Sequence, residues 1–266
     1  MADLYEINNL HLSLPDLARK PLLGAAPRIA ILNGLTFTIA KGEIIGIVGG
    51  SGSGKSTLGR ALVRLLEPTA GSLIFDGHDI THTAQANLRP LRHRFQMIFQ
   101  DPMSSLNPRH RVGRIIASPL HLHGHPSPAK AALEALDHVG LPSHYANRYP
   151  HELSGGQRQR VGIARAIALK PEFILADEIT SGLDVSSQAQ ILALLESLVK
   201  TLGLTLAFIS HDLSVIRRLT SRILVLHQGR IVEDAPTAQL FATPRAACTR
   251  ELLAAIPLPD PDQPWA

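Results

Sequence analysis

Two stretches of this sequence carry residue types suited to handling a phosphate chain. Gly49-Gly50-Ser51-Gly52-Ser53-Gly54-Lys55-Ser56 fits the pattern G-x-x-x-x-G-K-[ST]. It lies between an apolar run ending at Val48 and a segment of helical spacing from Lys55, the context the pattern requires. Glycines let the main chain wrap so that its N–H groups face phosphate oxygens, and the N-terminus of the following helix adds a favourable dipole. Lys55 is placed for the β- and γ-phosphates and Ser56 for Mg²⁺, with Thr57 next in the same turn. The second stretch is the apolar run Phe173 to Ala176, which ends in Asp177-Glu178. There Asp177 can hold Mg²⁺ through water, and Glu178 is the candidate general base aimed at the γ-phosphate. An acid pair at a strand end is by itself more often a solvated loop; the phosphate loop in the same chain reverses that reading.

The elements that must position these groups read as α/β. Leu4 to Leu14 alternates like an edge strand, Pro15 to Pro27 is a Pro/Gly/Ala-rich loop, and Ile29 to Ile39 is again β-like. A turn at Lys41-Gly42 leads to the buried-strand run Glu43 to Val48, a helix is expected over Lys55 to Leu66, and Gly71 to Gly77 reads as a strand. After a strand at Phe95 to Phe99 there is little β signal from Asp101 to Leu169, which predicts an inserted helical subdomain. The strand Phe173 to Ala176, a helix from Ser186 to Leu202 and the strand Leu204 to Ile209 then give the alternation that builds a parallel sheet. Strands over Ile223 to Leu226 and Arg230 to Glu233, two short helices and a Pro/Asp tail complete the chain.

Composition narrows the chemistry further. The 266 residues are 45% hydrophobic and 18% charged, and the mean hydropathy is +0.10, which excludes a disordered or a membrane-embedded chain. The net charge of +4 is mild and suits a phosphate ligand or an anionic surface as well as a nucleic acid. The single Cys248 excludes an intramolecular disulfide and cysteine-rich metal modules. No uncharged apolar run approaches the roughly 18 residues of a spanning helix, and the acidic start MADLYEINNL is not a secretory signal.

Between the two phosphate stretches stands Leu153-Ser154-Gly155-Gly156-Gln157, followed by an arginine-bearing helix. Here the chain resembles the ABC ATPase family, whose signature reads LSGGQ ahead of the acidic strand. Ser154 is a good N-cap, and the glycines leave a second anion-binding helix end open. The resemblance implies a nucleotide-binding domain over 1–235: a P-loop NTPase core with a parallel sheet, an antiparallel N-terminal β subdomain and an inserted α-helical subdomain at 101–169. The remaining 236–266 are expected to be a short C-terminal helical tail. It also implies ATP and Mg²⁺ as cofactors and a head-to-tail dimer, homo- or heteromeric, in which the signature of one subunit closes on the phosphate loop of the other. Carried over residue by residue, Gln100 takes the Q-loop position, contacting Mg²⁺ and the attacking water. Asp184 in Ser181-Gly182-Leu183-Asp184 is the D-loop acid, and His211 is the switch histidine that reaches the γ-phosphate. Two departures stand out. Ile179 replaces the usual proline after Asp177-Glu178, which predicts a looser D-loop. Leu14 stands where relatives carry an adenine-stacking aromatic, which leaves His11 or a loop residue to substitute, with Tyr5 too early in the chain.

Phe99-Gln100-Asp101-Pro102-Met103-Ser104-Ser105-Leu106-Asn107-Pro108-Arg109 resembles the Q-loop of ATPases serving peptide and nickel importers. The tail Thr249 to Pro257 resembles that group as well, less closely. The implied role is a motor subunit, peripheral on the cytoplasmic face of the inner membrane. Its partners would be two transmembrane permease subunits and, indirectly, an external substrate-binding protein, with no nucleic acid. Peptides are the first expectation for cargo, and nickel, a metallophore or another small solute the alternative; a soluble ATPase acting on nucleic acid or ribosomes is the remote third. Met103 and Leu106, apolar in a polar loop, are the residues expected to face the permease. The run His121-Leu122-His123-Gly124-His125 is read as solvated histidines at a helix end, since no acid or cysteine nearby completes a metal site.

Overall fold

The computed structural model describes residues 2–21 and 24–255, so Ile256 and Pro257 of the tail stretch lie outside the described residues. In chain order, β1 (Asp3–Pro15) and β2 (Arg28–Ala40) lead to β3 (Ile44–Val48), α1 (Lys55–Leu62), β4 (Ala70–Phe75), β5 (His78–Asp79), α2 (Gln85–Leu88) and β6 (Phe95–Ile98). Four helices follow: α3 (Pro102–Ser105), α4 (Val112–Leu122), α5 (Pro128–His138) and α6 (Gly155–Ile167). The chain then returns to strands with β7 (Phe173–Asp177), α7 (Val185–Leu202), β8 (Thr205–Ile209), α8 (Leu213–Leu219), β9 (Arg222–His227) and β10 (Arg230–Pro236). It continues through α9 (Thr237–Ala242) and α10 (Ala247–Ala254).

The strands form two sheets. One is antiparallel, ordered β2-β1-β4-β5; the other is ordered β10-β9-β3-β8-β7-β6 and is parallel except for β10. Both β7 and β8 are buried along their whole length, as unbroken apolar strands in a sheet covered on both faces must be. One core cluster fills the space between the antiparallel sheet, α1 and the near face of the central sheet. The other fills the far side, under α4 to α8. Gly59 permits the close approach of α1: a Cβ there would lie 2.8 Å from the Leu175 side chain.

Helix α1 ends four residues before Leu66, where spacing had placed its end. Arg64 adopts φ +50° and turns inward, where its guanidinium donates to Ile80 O at 2.6 Å and Thr83 O at 3.2 Å. Those carbonyls, distant in sequence, outweigh the continuing helical pattern. A polar clamp joins the two sheets at the opposite end from the phosphate loop. Arg94, just before β6, pairs bidentately with Glu172 at 2.5 and 3.0 Å and also with Asp76, which accepts from Lys41 Nζ at 2.7 Å. Arg94 further lies over the Phe75 ring, 4.8 Å from its centroid.

Candidate functional site

The loop 49–54 follows the end of β3 and wraps onto the first turn of α1. Gly49, at φ +153°, is the position that admits no side chain: a Cβ would sit 2.2 Å from Leu226 O and 2.6 Å from Ser53 Oγ. Lys55 folds back over the loop and donates to Gly49 O at 2.8 Å and Gly50 O at 2.9 Å. Burial pushes its ammonium down from the ordinary lysine value, while the carboxylates of Glu178 and Asp177 oppose that. The Ser53 hydroxyl is buried in the same loop without a hydrogen-bond partner. Residues 49–57, Ile31, Glu178, His211 and Leu252 enclose a cavity of about 620 Å³, a size that takes a nucleotide.

Strand β7 brings the acids to this cavity. Asp177 is 4% exposed and accepts from Ser56 Oγ at 3.1 Å. Burial raises its carboxyl above the usual aspartate value, against the Ser56 hydrogen bond and the charge of Arg60. Glu178, the next residue, has φ +48°, a left-handed conformation that a non-glycine residue holds at a cost of order 1–3 kcal/mol. Its N–H donates to Ile209 O at 2.9 Å, and its carbonyl accepts from Ser181 N at 3.1 Å and Ser181 Oγ at 2.7 Å. The turn thus aims the carboxylate: Gln100 Nε2 donates to Oε2 at 3.0 Å, and His211 Nδ1 lies 3.6 Å from Oε1. Gln100, Glu178 and His211 come from the ends of β6, β7 and β8, so three adjacent parallel strands place them together. Ile179, which follows Glu178, is buried in the far-side cluster.

The signature residues stand apart from the cavity. Ser154 caps α6, accepting from Gln157 N at 3.3 Å, while Gln157 Oε1 accepts from Ser154 N at 3.0 Å, a reciprocal capping box. Leu153 is buried beneath it. Ser154, Gly156 and Gln157 line a separate cavity with Tyr145 and Arg160, and none of the residues 153–157 borders the phosphate loop cavity. Asp184 caps α7 through Ser187 N at 2.9 Å and Ser187 Oγ at 2.7 Å.

Past Gln100, the chain forms one wall of a groove of about 390 Å³, between β6 and the helices α4 and α6, with Leu65, Met97, Phe99, Asn107 and Arg165 on its walls. Here the pairing of Met103 with Leu106 fails. Met103 is 47% exposed, but Leu106 is 1% exposed and belongs to the far-side core. A short polar loop can still turn one apolar residue inward, and Leu106 does so as α3 meets α6. Phe99 and Leu65, neither singled out in the sequence, are the exposed apolar residues on the groove.

On the adenine side, Tyr5 is fully buried and donates to Leu62 O at 3.1 Å, and Leu14 pairs with Ile29. Ile31 is the β2 side chain on the cavity. The alternation of β2 gave no signal for it, since Ile31 has the parity of the buried Leu35, Phe37 and Ile39, and the switch of the buried face to Leu32 comes with register shifts against β1. Leu252 had no local signal at all. Among the described residues, no three His, Cys, Asp or Glu side chains converge to hold a metal ion, the 121–125 histidines included.

Comparison with known proteins agrees with this geometry. The ABC transporter family profile matches residues 32–181. An ATP-binding protein of Brucella ovis named for peptide import is 51% identical over 237 residues, covering 88% of this chain and 75% of that protein. The oligopeptide transport ATP-binding protein OppF of Bacillus subtilis is 49% identical, covering 88% and 78%. Among solved structures, the dimeric ATP-binding cassette MJ0796 bound to ADP and Pi superposes with a TM-score of 0.76 at 30% identity, over 88% of this chain and 98% of that one.

Proposed function

This chain belongs to the ABC transporter family, and from that premise we propose that it is the ATP-hydrolysing subunit of a peptide importer. The observation that carries this reading is the 3.0 Å hydrogen bond from Gln100 to Glu178. It joins the group best placed to activate water to the segment that walls the groove, and so ties hydrolysis to whatever occupies that groove.

On ATP binding, the loop amides take the phosphate oxygens, and Lys55 leaves the carbonyls of Gly49 and Gly50 for the β- and γ-phosphates. Ile31 offers the adenine an aliphatic face in place of an aromatic one. Glu178 takes a proton from the water that attacks the γ-phosphorus as the bond to the β-phosphate oxygen breaks, leaving ADP and phosphate. Gln100 and His211 hold the Glu178 carboxylate and the water between them. Ser56 lines the cavity, Asp177 is hydrogen-bonded to it and Gln100 to Glu178 on the cavity wall; their oxygens are hard donors, a set that suits Mg²⁺. Bound there, the ion would neutralise charge on the β- and γ-phosphates.

The signature lies away from this chain's own phosphate loop, and MJ0796, a relative by fold, is a dimer. A second ATPase subunit, identical or not, would therefore bring its Ser154 equivalent to the γ-phosphate held here, with Asp184 beside the junction. The groove, with exposed Phe99 and Leu65 on its walls and Met103 exposed on the segment that borders it, fits a short helix of a permease subunit on the cytoplasmic face of the membrane. No helix among the described residues is long and apolar enough to cross a membrane. Copurification with two membrane subunits, followed by ATP-dependent uptake of labelled peptides into vesicles and identification of the binding protein's ligand by mass spectrometry, tests the reading. Uptake of nickel or another solute in place of peptide would overturn the cargo assignment, and copurification with nucleic acid would overturn the transport role.

A further inference from the structure

Two aliphatic side chains stand in the wall of the phosphate cavity, and they arrive from opposite faces of the central sheet. Ile31 packs with the cluster around α1, whereas Leu252 of α10 packs with the far-side cluster. His211 leads directly into α8, whose Leu213, Val215 and Ile216 belong to that same far-side cluster, as does Ile179 next to Glu178. Leu252, Glu178 and His211 thus line one cavity, and the far-side cluster backs all three.

Helix α10 is fastened as well as packed. Glu233 of β10 is 7% exposed, and its carboxylate accepts from Arg245 N at 2.9 Å, Ala246 N at 3.0 Å and Thr249 Oγ1 at 2.6 Å. Burial raises this carboxyl, but the three donors together outweigh it and keep the group below the usual glutamate value. A carboxylate at the N-terminal end of a helix also favours the helix dipole. Thr249 and Leu252 are three residues apart and so lie on one face of α10: the face pinned by Glu233 is the face that reaches the cavity.

We propose that α10 is part of the nucleotide site, with Leu252 walling off water from the γ-phosphate end of bound ATP beside His211, and with Glu233 as the positioning residue that keeps it there. The proposal rests on ATP occupying this cavity. An apolar wall lowers the local dielectric, which strengthens the attraction between Lys55 and the terminal phosphate. ADP lacks that phosphate and gains nothing from the wall.

The test is calorimetric binding of the nonhydrolysable β,γ-imido analogue of ATP, and of ADP, to the full chain. The variants are Leu252→Ala, Leu252→Met, Thr249→Val and the double variant Leu252→Ala/Thr249→Val, each with its melting temperature. Thr249→Val is nearly isosteric and removes one latch bond without opening a cavity. Leu252→Ala and Thr249→Val should each weaken the triphosphate about fivefold, under the 1.4 kcal/mol of a tenfold change, and leave ADP within about twofold. Leu252→Met should restore binding. The double variant should be no weaker than Leu252→Ala, because both changes remove one contact. Amide exchange across 247–254 should slow with the triphosphate analogue but not with ADP. Equal losses for both nucleotides, no loss in either single variant, or additive losses would overturn the proposal. Unimpaired binding to Lys55→Ala would instead overturn the placement of ATP in this cavity.

Discussion

Replacing Glu178 by glutamine isolates the chemical step. The side chains are nearly isosteric, the left-handed turn is held by main-chain bonds to Ile209 and Ser181, and Gln100 Nε2 still finds an acceptor in the new amide oxygen. What disappears is the basic oxygen. General-base catalysis contributes about 10²–10⁴-fold, so turnover should fall at least ~100-fold, or about 2.7 kcal/mol of barrier. Binding should not weaken, because the phosphate contacts come from the loop amides and Lys55. Removing a negative charge near a polyanion should if anything tighten it. Phosphate release under saturating Mg-ATP, equilibrium ATP binding and size-exclusion chromatography with ATP measure the three consequences, the last as an accumulated ATP-bound dimer. Turnover within tenfold of wild type would remove Glu178 from the role, and weaker ATP binding would show that the carboxylate was serving the loop instead.

Lys55→Ala should abolish detectable nucleotide binding in the same titration, since it deletes the one side-chain ammonium in the cavity wall. Ser154→Arg should eliminate hydrolysis while monomeric ATP binding survives; it also removes the α6 cap, so stability should drop by about 1 kcal/mol, with Ser154→Ala giving that drop alone. Met103→Asp should suppress permease-stimulated ATPase and leave the basal rate within about twofold, whereas Leu106→Ala should lower Tm through a buried loss of roughly 2–5 kcal/mol and reduce both rates. Asp76 is held down to about 2 by hydrogen bonds from Lys41 and Arg94, so it favours the folded state above its unfolded value of 3.8 and loses that advantage as pH falls through about 2. Urea melts of wild type and Asp76→Asn should therefore differ by about 1 kcal/mol or less near neutrality and converge towards pH 2; a gap that widens on acidification would contradict the assignment.

The phosphate loop and the acid pair were legible because their function needs consecutive residues: strand, turn and helix are contiguous, so spacing alone puts Lys55 and Ser56 in the first turn of α1 and Asp177 and Glu178 at the end of β7. The capping box of Ser154 and Gln157 was half legible, with Ser154 recognisable as a cap and the return bond from Gln157 seen only in three dimensions. Arg64, Leu106 and Leu252 were opaque for one shared reason. Each is placed by partners far away in the chain, the carbonyls of Ile80 and Thr83, the far-side core, and the Glu233 latch. Periodicity reports which face of an element is apolar, but not which distant surface that face will meet.

The clamp at Arg94 turns β6 into a rigid base. Its near end is pinned to Glu172 and Asp76, and Glu172 N and Phe173 N donate to Arg94 O at 2.8 and 3.0 Å, so it cannot slide. The far end carries Gln100, roughly 20 Å away at the rise of an extended chain. Between them Phe95 to Ile98 pair residue for residue with Phe173 to Ala176, so β6 is held against β7 and any give lies in the two residues past Ile98. Over that span of roughly 7 Å, moving Gln100 Nε2 by about 0.5 Å, enough to undo a 3.0 Å hydrogen bond, needs a turn of about 4°. The Glu178 carboxylate is thus tied to the groove wall by a short hinge on a rigid base, and that contact can break without the sheet rearranging.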